Sequence, residues 1–242
     1  MAAFPEKLRA IVLSSLDYGD TDRIVTLFTL EHGRISAFAR SARKSRKRFG
    51  AALETFSRIE AQARVMEGLC SLQDAVAETT FTGIRSDLGR ISNALYACEL
   101  VEAMTPEGHP IPRLYRLLVT YLEHLDTKAA VESDRRFFEI NLLNILGYRP
   151  ALEECSRCEA LFNSSGAVLN DHGHLVCPGC GNGKKIDLQT IKSLSNCMTT
   201  GKFGMISFSP ETLMQAGELL DEAVAVHAGR KLKSLEFLRQ VS

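Results

Sequence analysis

Over the first third of the chain, apolar side chains recur at about every second position in short runs. Leu8–Val12, Ile24–Leu30 and Ile35–Ala39 are β-prone, and Glu31, His32 and Gly33 supply a tight connection between the last two. Further on, Phe56, Ile59, Ala61, Ala63 and Val65 alternate, a turn follows at Glu67–Gly68, and Leu69, Leu72, Ala75 and Val76 continue the pattern. This spacing predicts five strands before residue 82 with no long helix between them. A small closed barrel of the OB type accommodates such strands; an SH3-like barrel fits the same periodicity.

From Ile84 the period becomes helical. Ile84, Leu88, Ile91, Leu95, Val101 and Met104 predict one face of a helix ending before Pro106 and Gly108. Pro112 is placed to start a second helix, with a stripe of Leu114, Leu117, Leu118, Tyr121 and Leu125. The segment from Arg135 to Leu146 is apolar on nearly all sides, which predicts the buried centre of a bundle, capped by Gly147 and stopped by Pro150. Residues 187–199 and 210–228 read as helices, and Leu232, Leu235 and Leu238 mark a short amphipathic helix at the end. The predicted class is therefore a multidomain α+β chain. It comprises an OB-fold β-barrel (1–82), a helical bundle (83–153), an inserted four-cysteine zinc module (154–184) and C-terminal helices packing on the bundle (185–242).

The inserted module is read from its cysteines. Cys155, Cys158, Cys177 and Cys180 follow the pattern C-x2-C-x18-C-x2-C. Each C-x-x-C can turn two thiolates toward one point, and the intervening segment is long enough for a hairpin, with Gly166–Leu169 and Leu175–Val176 as its strands around a turn at Asn170–Gly173. Four thiolates complete a tetrahedral zinc shell and leave no position for water. The expectation is one structural Zn2+ per chain, with no redox role, since no βαβ unit flanks either pair. His172 and His174 belong to the turn and not to the ligand set. Cys70, Cys98 and Cys197 lie in apolar stretches and read as core residues.

Charge changes the picture through its distribution. Lys and Arg together number 29, equal to Asp and Glu, so the formal net charge is zero. Yet Arg40, Arg43, Lys44, Arg46, Lys47 and Arg48 crowd into one predicted loop with no acid among them. Such a loop between two strands sets up a strong local field and predicts phosphate binding, with Phe49 beside it as a base-stacking ring. If about five of these side chains neutralise phosphates, the log–log salt slope for a single strand is roughly −3 to −4, or about two orders of magnitude in affinity between 50 and 200 mM salt. Arg230, Lys231 and Lys233 read as a helix-end cluster. The chain has no glycine-rich phosphate loop, no H-E-x-x-H and no G-x-S-x-G, and its carboxylates are scattered, so it is expected to bind nucleic acid without catalysing a reaction. No apolar run approaches the length of a membrane span, and Met1–Glu6 lacks the regions of an export signal. A cytoplasmic protein is expected, without a membrane or small-molecule partner.

Several segments, taken in order, resemble the RecO family of bacterial DNA repair proteins. They are Tyr18–Asp22 leading into Ile24–Thr29, Gly33, the Arg43–Lys44 loop, Leu53–Phe56, Phe137–Glu139, Leu146–Pro150 directly before the first cysteine pair, and Gly229–Ser234 ahead of Phe237–Leu238. Where the family often has Lys-Gly before its basic loop, this chain has Arg40-Ser41. The resemblance implies a non-enzymatic recombination mediator, associated with the nucleoid. Such a protein binds single- and double-stranded DNA, anneals complementary strands, and acts with RecR, and with RecF, to load RecA onto coated strands. It further implies that the helical region receives the C-terminal tail of the single-stranded DNA-binding protein. Read from the residues alone, an RNA-binding OB and zinc protein, or an accessory zinc-ribbon subunit of a nucleic-acid enzyme, fits the same loop and knuckles.

Overall fold

A computed structural model describes residues 4–45, 47–162 and 166–241. The chain divides into two compact units, Met1–Ala130 with Leu232–Ser242, and Val131–Lys231.

The first unit is built on strands β1 (Glu6–Tyr18), β2 (Asp22–Thr29), β3 (Gly33–Ala39), β4 (Arg58–Arg64) and β5 (Leu69–Thr79). They close into a barrel in the order β1-β2-β3-β5-β4, with β3 and β5 parallel and the other pairings antiparallel. This is the OB-like arrangement, and closure removes every sheet edge. Period-two alternation sends Leu8, Ala10, Val12, Val25, Leu27, Ile35, Ala37, Ile59, Ala61, Ala63 and Leu72 inward, all buried. The alanines matter, because the interior of so narrow a barrel cannot hold a bulky side chain at every inward position. Phe56 differs from its predicted place: it is a buried turn residue at φ 57°, with the Arg85 guanidinium 4.5 Å from its ring centroid, and β4 begins two residues later.

The helices of this unit are α1 (Thr82–Arg85), α2 (Leu88–Met104), α3 (Pro112–Thr127) and α7 (Lys233–Val241). A break at Ser86–Asp87 divides what the periodicity joined, and the Asp87 side chain caps α2 by accepting the Arg90 N–H at 2.8 Å. The predicted face of α2 is also displaced. Leu88 is 54% exposed and Ile91 and Leu95 are only half-buried, whereas Ser92, Asn93, Ala94, Tyr96, Ala97, Cys98 and Leu100 are buried. The reason is that β1, α1, α3 and α7 all pack against α2, so it has no single apolar side. Pro112 does open α3. The start of α7 is held by Glu99 of α2, whose carboxylate accepts the backbone N–H groups of Lys233 (3.2 Å) and Ser234 (2.8 Å).

The second unit is centred on α4 (Glu132–Leu146), with α5 (Leu188–Thr200) and α6 (Pro210–Ala228) packed against it. Gly147 ends α4 at φ 81°, the left-handed cap expected of it. Its buried surface includes charge as well as apolar groups: Arg136, 4% exposed, pairs with Glu139 (2.9 Å), Asp221 (2.6 Å) and Glu132 (2.8 Å). Gly217 on α6 makes room for it, since a Cβ there would lie 2.8 Å from Arg136 Nη2. The remaining piece is a small sheet of β6 (Ala167–Leu169), β7 (Leu175–Val176) and β8 (Lys184–Ile186) in the order β7-β6-β8. The hairpin is the predicted one, with Val168 opposite Val176 and Leu169 opposite Leu175; the third strand is an addition to it.

Candidate nucleic-acid interface and metal centre

The basic segment leaves the barrel at the end of β3 and returns to it before β4. Its first turn is fixed by a carboxylate: Asp22 Oδ1 accepts the Ser41 N–H at 2.6 Å, with Ser41 at φ 55°. That hydrogen bond, with one from the Thr21 hydroxyl and the charge of Arg40, holds the Asp22 carboxyl below its ordinary range. Arg43 donates its backbone N–H to Thr21 O at 2.9 Å. Ala42, Ala52 and Leu53 are buried in the barrel core and pin the segment to the barrel.

These anchors sort the predicted DNA-contacting residues into two groups. Arg40, Arg43, Lys44 and Lys47 are exposed, and only Arg43 forms a salt bridge among the described residues, at 3.5 Å to Asp17. Arg48 instead turns back into the loop. Its guanidinium donates to Arg40 O (2.6 Å), Ser45 Oγ (3.0 Å) and Gln73 O (3.5 Å), so it shapes the segment. Phe49 corrects the stacking assignment: its ring is 2% exposed, belongs to the barrel core and lies under Arg48 at 4.9 Å, where no base can reach it. Arg46 lies outside the described residues. Near the loop lies a partly exposed aromatic pair that sequence reasoning missed, Tyr18 and Phe38, with ring centroids 6.0 Å apart.

In the second unit the structure brings Cys155, Cys158, Cys177 and Cys180 together, with all four sulfur atoms within 4.8 Å of one another. Cys158 Sγ and Cys177 Sγ are 3.8 Å apart. Four sulfurs about 2.3 Å from a tetrahedral zinc stand about 3.8 Å from each other, so the donor set suits that geometry. The knuckles are local turns: Glu159 N–H donates to Cys155 O and Cys180 N–H to Cys177 O, each at 2.9 Å. Arg157 ties the pairs by donating to Cys180 O at 2.7 Å. Burial opposes ionisation of Cys155, but N–H groups of Cys177, Arg157 and Cys158 outweigh it and lower its thiol to about 6. Hydrogen bonds with the sulfurs of Cys158 and Cys177 push Cys180 the other way, to about 12. Four adjacent sulfurs cannot all ionise without a cation, and this one cluster can hold a metal ion.

His172 and His174 stand apart from these sulfurs, at a hairpin tip fixed by Asn170 Oδ1, which accepts both of their N–H groups at 3.0 Å. Cys70, Cys98 and Cys197 are buried, and burial pushes the thiols of Cys98 and Cys197 up to about 12.

Residues 1–81 match the family described as Recombination protein O N terminal, and residues 85–236 match Recombination protein O C terminal. The chain belongs to the RecO family. Its relatives include the DNA repair protein RecO of Pelobacter propionicus, 61% identical, with 98% of each chain covered. That of Geobacter sulfurreducens is 49% identical, over 98% of this chain and 99% of the relative. That of Myxococcus xanthus is 37% identical, with 96% of each covered. The two RecO matches meet between residues 81 and 85, where the barrel gives way to helices. Among the described residues no helix is long and apolar enough to cross a membrane.

Proposed function

We propose that this RecO-family chain is a DNA-binding mediator of recombinational repair that catalyses no covalent step. It binds single- and double-stranded DNA and anneals complementary strands in the cytoplasm, at the nucleoid. The reading is carried by one observation: Arg40, Arg43, Lys44 and Lys47 are exposed beside the barrel, and among the described residues a single carboxylate is bridged to any of them. Annealing requires a surface that screens two phosphate backbones while leaving base edges free to pair, and a cationic loop on a rigid barrel does so without a chemical reaction. The repair proteins named RecO among its relatives support the same role.

Labour divides along the chain. The barrel (1–82) contacts DNA, the helical regions (83–153 and 185–242) receive protein partners, and the module at 154–184 is stapled by one structural zinc on Cys155, Cys158, Cys177 and Cys180. The partners are RecR and RecF, together loading RecA, and the C-terminal tail of the single-stranded DNA-binding protein.

Strand annealing over a salt series tests the proposal. With four exposed cations, the single-strand slope is expected near −3. The variant Arg43→Glu/Lys44→Glu/Lys47→Glu should abolish binding and annealing at 200 mM salt while its thermal transition is unchanged. Unaltered affinity in that variant defeats the loop assignment. An RNA-binding role draws on the same loop, and parallel titration with matched RNA and DNA separates the two.

A further inference from the structure

The outer face of the barrel is covered over one half and open over the other. Ile11 on β1 stands opposite Phe28 on β2 and both are fully buried, Phe28 packing its ring 6.3 Å from that of Tyr115 on α3. Further along the same two strands the cover ends, and beyond one hydroxylic row the side chains are apolar again. Leu16 stands opposite Ile24, and Ile24 opposite Phe38 on β3. Directly paired residues share a face, so these three form one row across three strands. Tyr18 shares that face and meets Phe38 edge to face, their planes 82° apart. Leu16 is 66% and Tyr18 55% exposed. The neighbouring row is hydroxylic, with Ser14, Thr26 and Ser36 in register.

An exposed apolar residue is ordinary when single, but a contiguous row with an aromatic pair leaves an unfilled contact surface. Its surroundings identify the occupant. Phe38 lies two residues before Arg40, so the row ends at the root of the cationic loop. A ligand that satisfies both must carry dense negative charge and flat apolar faces, which a nucleic-acid strand with unpaired bases does. Three strands span roughly 10 Å, and at a rise of about 3.4 Å per nucleotide the row accommodates about three bases.

We infer that Leu16, Tyr18, Ile24 and Phe38 form a contact surface for unpaired bases, a role that rests on the proposed DNA binding by the loop and adds selectivity to it. The loop holds phosphates of any strand, whereas the row holds only bases whose faces are free. Once two strands pair, their bases stack on each other and leave the row. The duplex is then retained by the loop alone, and annealing weakens the protein's hold on its own product.

The chain contains no tryptophan, so Tyr18→Trp places a sole indole on the row. Titration with an oligothymidylate of about 20 nucleotides should quench its emission, while a duplex of equal phosphate count should leave it unchanged. Leu16→Ala/Tyr18→Ala, which removes two exposed side chains, should lower single-strand affinity about tenfold, with duplex affinity and the salt slope retained. Unquenched emission while fluorescence anisotropy of a labelled strand shows binding overturns the inference and leaves the loop proposal standing. So does an equal loss of single-strand and duplex affinity. If the parent protein binds neither ligand in dilute buffer, the loop proposal falls first and the inference with it.

Discussion

The basic loop and the cysteine knuckles are both short, turn-rich excursions, but they use their reactive side chains in opposite senses. The loop packs its small and apolar members, Ala42 and Phe49, inward and leaves Arg40, Lys44 and Lys47 to solvent. The knuckles turn their sulfurs toward one another, within 4.8 Å. An outward set of like charges acts by number, so losing one removes a fraction of the phosphate contacts. An inward set of donors acts as a unit, because a tetrahedral shell missing one ligand is a different site. The first arrangement should respond to substitution by degrees and the second all at once.

The largest expected effect tests the second half of that contrast. Cys155→Ser should abolish binding of the proposed zinc, as measured by metal analysis of purified protein. Structural zinc contributes on the order of 10 kcal/mol in small modules, so the thermal transition should split or broaden, while single-strand affinity at fixed salt is retained. Next is Arg136→Met in the same unit, which removes the cation of the 2.9 Å ion pair with the fully buried Glu139. Breaking a buried pair costs about 3–5 kcal/mol, and urea unfolding should show it without any change in metal content.

A smaller effect is expected at Asp22, the anchor of the loop. Its folded pKa lies below the ordinary value of 3.8, so its contribution is present above that value and is lost as pH falls through the lowered one. The protection of the Ser41 amide, taken relative to its intrinsic exchange rate at each pH, should therefore be steady at neutral pH, fall below about pH 4, and be low throughout in Asp22→Ala. Ser41→Gly should have the smallest effect. Ser41 sits at φ 55°, where a side chain costs about 1–2 kcal/mol that glycine avoids. The variant should be as stable as the parent or slightly more so, with unchanged DNA affinity.

What the sequence made legible was what repeats or is spaced. The inward alternation of Leu8, Ala10 and Val12, or of Ile59, Ala61 and Ala63, announced the strands, and the cysteine intervals announced the cluster. Register-dependent features stayed hidden. β8 carries Lys184 and Lys185, both exposed, and only Ile186 is buried, so no alternation marks it. α2 has neighbours on several sides and hence no stripe to read. Within the loop, composition could not separate Arg48, which donates to nearby oxygens, from Lys47, which faces water. Nor could it show that Phe49 folds back into the barrel. The Leu16–Ile24–Phe38 row joins positions that are distant in sequence and becomes visible only when the strands are paired.

One feature bears on how the molecule is made. Residues 232–242 belong to the same unit as the barrel, and α7 begins on Glu99 of α2. Nascent chain emerging from a ribosome can therefore close the barrel early, but the helical layer of that first unit waits until α7 has been made. A premature stop codon shortly before α7 would damage a unit whose barrel is encoded far upstream.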